Sequence, residues 1–172
     1  IILCGKSGSG KSTILHAVSG LAPVFYEGTL QGKIEVDKRI PAELESEERA
    51  KLFGVVFQDP RSQFFMNTVQ DEICFAAENI GIPSNKIKEM LNEISAFIGI
   101  EELLSRNIDE LSSGQKQKVA IASSLILQPK VLILDEPTSN LDIQGSKVLI
   151  EIIKKIKEKG ISVIISEHRL DS

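Results

Sequence analysis

Gly5-Lys6-Ser7-Gly8-Ser9-Gly10-Lys11-Ser12-Thr13 follows the pattern GxxxxGKS/T, whose chemistry is the gripping of phosphate. The glycines let the backbone curl until successive N–H groups point into one hollow, and a helix starting there adds its positive end. Lys11 is placed to reach the β- and γ-phosphate oxygens, the Ser12 hydroxyl to ligate Mg²⁺, and Thr13 to bond a nearer phosphate. A second group of polar residues ends an apolar run, Val131-Leu132-Ile133-Leu134-Asp135-Glu136. Alternation along a strand sends Asp135 and Glu136 to opposite sides of its tip, so their roles can differ. Asp135 suits the metal, held through water, and Glu136 suits a water aimed in line at the γ-phosphate.

These groups need a scaffold that brings strand ends together. Ile1 to Cys4 is a short apolar run that predicts a strand, followed by the glycine-rich loop and a helix with Ile14, Val18 and Leu21 on its apolar side. Leu30 to Ile40 alternates loosely, which predicts a small antiparallel excursion, and Leu52 to Phe57 predicts a buried strand. From Thr68 the period becomes helical. Thr68 and Asp71 suggest a capping box, with Val69, Ile73, Ala76, Ala77 and Ile80 following, and Ser84 suggests the cap of a helix carrying Ile87, Met90, Leu91, Ile94 and Ile98. After Gly114 a helix runs through Val119, Ala122 and Ile126 to Pro129. The run 131–134 is of the fully buried, parallel type. A helix with Val148, Ile152 and Ile156 inward and Lys154, Lys155, Lys157 and Glu158 outward then leads past Gly160 to a strand over Ile161–Ile165. Strands alternating with helices predict an α/β fold with a parallel sheet covered on both faces.

Composition narrows the class. With 172 residues, 42% of them hydrophobic, the chain is long enough for one domain with a core, which excludes a disordered tail or a fibre. A net charge of -4 gives no electrostatic footprint for a phosphate backbone, so nucleic acid is not an expected partner. Cys4 and Cys74 form no metal-spaced array; both are expected as small buried hydrophobes in an intracellular chain. No apolar run reaches the roughly 18 residues of a spanning helix. The opening without Met predicts a piece of a longer polypeptide.

Further motifs give the chain a family resemblance. Leu111-Ser112-Ser113-Gly114-Gln115 is similar to the LSGGQ signature of ABC ATPases; Gln58 resembles that family's Q-loop, Ser139-Asn140-Leu141-Asp142 its D-loop, and His168 its switch histidine. All occur in the family's order from Gly5 to His168. The resemblance implies a P-loop NTPase fold with a RecA-like, mostly parallel sheet, helices on both faces and an inserted helical subdomain. It divides the chain into core (1–66 and 113–172) and subdomain (67–112), a single ABC ATPase domain fragment from which N-terminal strands are missing. It implies ATP and Mg²⁺ bound by residues 5 to 13, the metal on Ser12, Gln58 and Asp135. Lys11, Gln58, Glu136 and His168 then carry catalysis. A second ABC ATPase protomer, identical or not, would sit head to tail and present Ser112, Ser113, Gly114, Gln115 and Asp142 to the nucleotide.

Two departures stand out. Ser113 replaces the first glycine of the usual pair, adding a Cβ where backbone approaches phosphate, and the family's adenine-stacking aromatic precedes the P-loop by more residues than lie here. Phe25 and Tyr26 follow the loop and do not substitute for it. The segment from Asp59 through Phe64 and Phe65 to Ile73, together with Glu167-His168-Arg169-Leu170, is similar to ATPase subunits of energy-coupling-factor and cobalt-type uptake systems. That similarity implies a peripheral subunit on the cytoplasmic face of the membrane, with Phe64, Phe65 and Met66 meeting a transmembrane partner, and import of a vitamin or metal ion. The alternative is a soluble ABC ATPase of translation or DNA repair, although no long heptad run separates Lys11 from Ser112.

Overall fold

The computed structural model describes residues 1–168, so Arg169 and Leu170 lie outside the described residues. Four strands, β1 (Ile2–Cys4), β2 (Phe53–Val56), β3 (Val131–Asp135) and β4 (Ser162–Glu167), form one sheet in the order β1-β4-β3-β2. Every neighbouring pair is parallel, with Ile2 opposite Ile165, Leu132 opposite Val163 and Gly54 opposite Leu132. The helices are α1 (Lys11–Val18), α2 (Ser46–Leu52), α3 (Val69–Asn79), α4 (Ser84–Ile98), α5 (Ser113–Leu125) and α6 (Ile143–Glu158). The α/β class with a parallel sheet is therefore the observed architecture.

The period of two along β3 explains the layers. Leu132 and Leu134 face a core shared with Ile73, Leu91, Ile121, Leu149 and Ile156; Val131 and Ile133 face the other side, where Leu15, Leu52 and Phe53 wait. All five residues of β3 are buried, and each large side chain among them contributes about 1.5–3 kcal/mol by leaving water. Helix α5 lies so close to β2 that a Cβ on Gly54 would stand 2.5 Å from the Ser124 carbonyl oxygen. Only glycine fits there.

Several sequence expectations shift. On α1 the buried apolar residue is Leu15, at 2% exposure, while Ile14 is 50% exposed; on α6 Leu149 is buried, while Val148 lies at the surface. One position on a helix is a rotation of about 100°, so adjacent apolar residues compete for the inward direction. Ser84 is the first residue of α4 rather than its cap, a place taken by Pro83. Thr68 caps α3 by accepting the Asp71 N–H, and that is the half of the expected box that forms. Helix α5 starts at Ser113, one residue before Gly114. The antiparallel excursion shrinks to one bridge, Val36 with Arg39, around a turn whose residues Asp37 and Lys38 have φ of 51° and 61°. Lys130 pairs with the Asp37 carboxylate, which it holds below the usual carboxylate range, and so ties that turn to the start of β3. Cys4 is exposed, contrary to expectation: among the described residues β1 has one strand neighbour, β4, and none of its three residues is buried; Cys74 is buried on α3. No helix among the described residues is long and apolar enough to cross a membrane.

Candidate functional site

Four parallel strands must end along the same margin of the sheet, and ligands of open α/β sheets bind beyond those carboxyl ends. Here β1 runs out into Gly5, β2 into Phe57-Gln58, β3 into Asp135-Glu136 and β4 into Glu167-His168. The residues singled out by sequence at four distant places thus meet at one rim.

The loop of residues 5 to 13 joins β1 to α1. Gly8 and Gly10 have φ of 76° and 89°, a region costly to other residues. Gly10 caps α1 without a side-chain acceptor, which leaves first-turn N–H groups free for an anion. Lys11 is buried, and its Nζ donates to the Gly5 and Lys6 carbonyls at 2.9 and 3.2 Å. Its ammonium therefore sits within the curl of the loop. Ser12 is half-buried and Thr13 exposed on the first turn of α1.

Glu136 is the hub. Its carboxylate is buried, with Oε2 accepting from Gln58 Nε2 at 2.8 Å and Oε1 lying 2.8 Å from His168 Nε2 and 3.5 Å from Lys11 Nζ. Its φ of 47° places it in the left-handed region, at about 1–2 kcal/mol for a residue with a Cβ. Two bonds hold it there: the Glu136 N–H donates to both the backbone oxygen and the Oγ of Ser166, each at 3.1 Å. The same Ser166 hydroxyl donates to Asp135 Oδ1. Asp135 and Glu136 thus diverge from one strand tip while sharing one buried serine. Thr138 Oγ1 donates to Glu167 Oε1 at 2.9 Å, and Asn140 Nδ2 to the Gln58 carbonyl at 3.4 Å, so the turn after β3 is tied to both flanking strand ends.

Sequence reasoning missed Ser166, Thr138 and Asn140 as supports. The signal was a lone serine ending the apolar run of β4, too small a departure to read without its neighbours in space. Lys11, Asp135 and Glu136 are all buried, and their formal charges sum to one negative. A triphosphate entering this rim therefore meets local repulsion that a divalent cation would remove. The donors available for one, the Ser12 hydroxyl, the Asp135 carboxylate and the Gln58 amide oxygen, are all hard oxygens of the kind Mg²⁺ prefers. That donor set fits the ion.

The signature segment borders this rim, with Ser113 lining the same hollow as Gln58 and Asp135. Ser112 caps α5 in a true capping box, accepting from Gln115 N at 3.3 Å while its own N–H donates to Gln115 Oε1 at 2.9 Å. As an acceptor in that box, the Ser112 hydroxyl keeps its proton free to donate outward. Ser113 is exposed and Gly114 half-exposed beside it. No hydrogen bond joins residues 112–115 to residues 5–13 among the described residues. Asp142 caps α6, accepting from Gly145 N at 2.6 Å. Of the apolar trio, Phe64 packs partly on the core, Met66 is half-buried, and Phe65 is 75% exposed and stacked on Phe75. The buried Glu72 holds the Phe65 and Met66 N–H groups at 2.9 Å each. Tyr26 stacks on His16 of α1 at 4.1 Å.

A family model described as ABC transporter matches residues 1–139. A protein of Treponema denticola that carries the name ABC transporter ATP-binding protein is 40% identical over 99% of the chain, which covers 35% of that relative. The chain thus spans about a third of the length of such curated relatives. Among solved structures, cbiO1 from Clostridium perfringens, described as part of the ABC transporter complex cbiONQ, superposes with a TM-score of 0.84 at 33% identity, covering 99% of this chain and 68% of that one. The ATP-binding cassette MJ0796, solved as a dimer in a post-hydrolysis state with ADP and Pi, shares the fold at a TM-score of 0.80 and 24% identity, over 99% of this chain and 75% of that one.

Proposed function

The chain belongs to the ABC transporter family of ATP-binding domains, and on that premise we propose that it seats ATP on residues 5 to 13, hydrolyses it at Glu136, and passes the resulting motion to a membrane partner. The observation that carries this reading is the single carboxylate of Glu136, on which Lys11 converges from the first turn of α1 and Gln58 and His168 from two other strand ends.

Glycine-loop amides and the α1 N-terminus hold the phosphate tail, and Lys11 Nζ turns from the Gly5 and Lys6 carbonyls toward the β- and γ-phosphate oxygens. Ser12, Asp135 and Gln58 would hold Mg²⁺, which would supply positive charge against the leaving phosphates. Glu136 Oε2, now bonded to the Gln58 amide, orients the attacking water and takes its proton, a role worth about 10²–10⁴ in rate. His168 Nε2 moves from Glu136 Oε1 to a γ-phosphate oxygen. A second cassette, of this chain or a paralogue, closes the site head to tail, offering the free Ser112 hydroxyl and the N–H groups at the start of α5; Asp142, at the start of α6, lies beside them.

The finer reading is an uptake system of the energy-coupling-factor or cobalt type, importing a vitamin or metal ion, with the cassette peripheral on the cytoplasmic face. Two observations support it: the likeness to cbiO1, and the exposed Phe65, held out before α3 by the buried Glu72 where an apolar partner helix could cover it. Phe65→Glu tests the membrane partner. In cells making the full-length protein, this variant should leave the membrane fraction, while phosphate release by the purified protein stays within about twofold of wild type. Unchanged membrane retention would refute the docking role and favour a soluble ATPase.

A further inference from the structure

Helix α5 carries one polar side chain that its surroundings leave unanswered. Gln117 is 5% exposed, and its Nε2 has no hydrogen-bond partner among the described residues, the one buried side-chain nitrogen or oxygen of which that is true. Leaving a buried donor unmatched disfavours a state by roughly 5- to 150-fold against one that supplies an acceptor. An arrangement that brings an acceptor to Gln117 is therefore favoured over this one.

The position of the side chain narrows where an acceptor can come from. Gln117 lines two hollows at once. One, of about 880 Å³, is walled by Phe57, Gln58, Asp135 and Ser139; the other, of about 560 Å³, by Ser112, Gly114, Gln115 and Asp142. Three residues border both, Ser113, Gln117 and Asn140, so they form the partition between the catalytic side and the signature side. Ser113 and Gln117 stand four apart on α5 and share a face. Asn140 is exposed, spends its Nδ2 on a long bond to the Gln58 carbonyl, and has Gln58 in turn on Glu136.

We propose that Gln117 is a positioning residue: as the partition closes, its Nε2 donates to an oxygen of the 139–142 loop, with the Asn140 side-chain carbonyl the nearest in kind. That bond joins the start of α5 to the series Asn140, Gln58, Glu136. A phosphate bound at the α5 N-terminus then biases the placing of the catalytic carboxylate. The inference rests on the ATPase reading above and adds to it the device by which the signature side reaches the water-orienting group.

The test compares wild-type full-length protein with Gln117→Leu, which keeps the volume and removes the donor, and with Gln117→Glu, which keeps the shape and turns donor into acceptor. The readouts are the ATP dissociation constant by calorimetry, the melting temperature, and single-turnover phosphate release. Both variants should bind ATP within about twofold of wild type and release phosphate about tenfold more slowly or worse. The Leu variant should melt no lower than wild type, because it removes an unmatched polar group. Gln117→Leu combined with Asn140→Ala should be no slower than the slower single variant, as expected for one shared path. Hydrolysis within twofold of wild type in the Leu variant, or losses that multiply in the double variant, would overturn the proposal. So would a parallel fall of binding, melting temperature and rate, the mark of a merely structural residue. If wild type itself released no phosphate, the ATPase reading would fail first, and that outcome is read directly from the wild-type trace.

Discussion

Replacing Ser166 by alanine removes one oxygen from a residue with no exposed surface, and two buried groups lose a partner with it. The hydroxyl donates to Asp135 Oδ1 and accepts from the Glu136 N–H, which keeps a second bond to the Ser166 backbone oxygen. The Glu136 amide therefore loses a shared partner and retains another. Asp135, only 8% exposed, loses a bond to a charged group, which contributes about 1.5–3 kcal/mol. The net destabilisation should be about 2–3 kcal/mol, and a domain of this size loses about 2–4 °C of melting temperature per kcal/mol. A fall of about 4–12 °C is expected in a circular dichroism melt. Because Asp135 is also the proposed metal-side carboxylate, its altered setting should raise the Mg²⁺ concentration needed for half-maximal phosphate release. A melting temperature within about 1 °C of wild type would mean that the shared serine holds neither carboxylate-bearing residue in place.

Gly54→Ala should destabilise the protein by about 1–3 kcal/mol in urea unfolding, because the new Cβ must push α5 away from β2 at the Ser124 carbonyl; an unchanged midpoint would mean that the two elements part freely. Burial, aided by Glu78 and Asp71, pushes the Cys74 thiol from 9.0 up to about 11. The folded state thus holds this proton more tightly than the unfolded one, so the associated stability is complete below pH 9 and is lost as pH rises toward 11. Cys74→Ala should remove that alkaline component. In a thiol titration at about pH 8 the exposed Cys4 should react at once and Cys74 only on unfolding; simultaneous reaction of both would contradict the buried setting.

What could be read from the residues alone was whatever local chemistry dictates. Glycines at 8 and 10 before Lys11 specify a left-handed curl into a helix, and four apolar residues before Asp135 specify a buried strand with polar groups at its tip. Both needed no knowledge of neighbours. Helix faces were legible to within one position: Leu15 rather than Ile14 and Leu149 rather than Val148 turn inward, because in each pair both residues are apolar and only the packed sheet decides between them. Cys4 was misplaced because burial at the margin of a sheet depends on what packs over the strand, which residues 1–4 do not specify. Ser166, Thr138 and Asn140 were illegible as supports for a similar reason. A hydroxyl or amide acquires such a role only when a strand remote in sequence is laid beside it.

If water is activated at Glu136 on ATP held by the glycine loop, Glu136→Gln in the full-length protein should separate binding from hydrolysis. Glutamine can keep the bond to Gln58, while Lys11 is freed from a carboxylate oxygen 3.5 Å away. ATP should bind at least as tightly as to wild type, and single-turnover phosphate release should be slower by about 10²–10⁴. Release at the wild-type rate, or loss of ATP binding along with turnover, would contradict that role of Glu136.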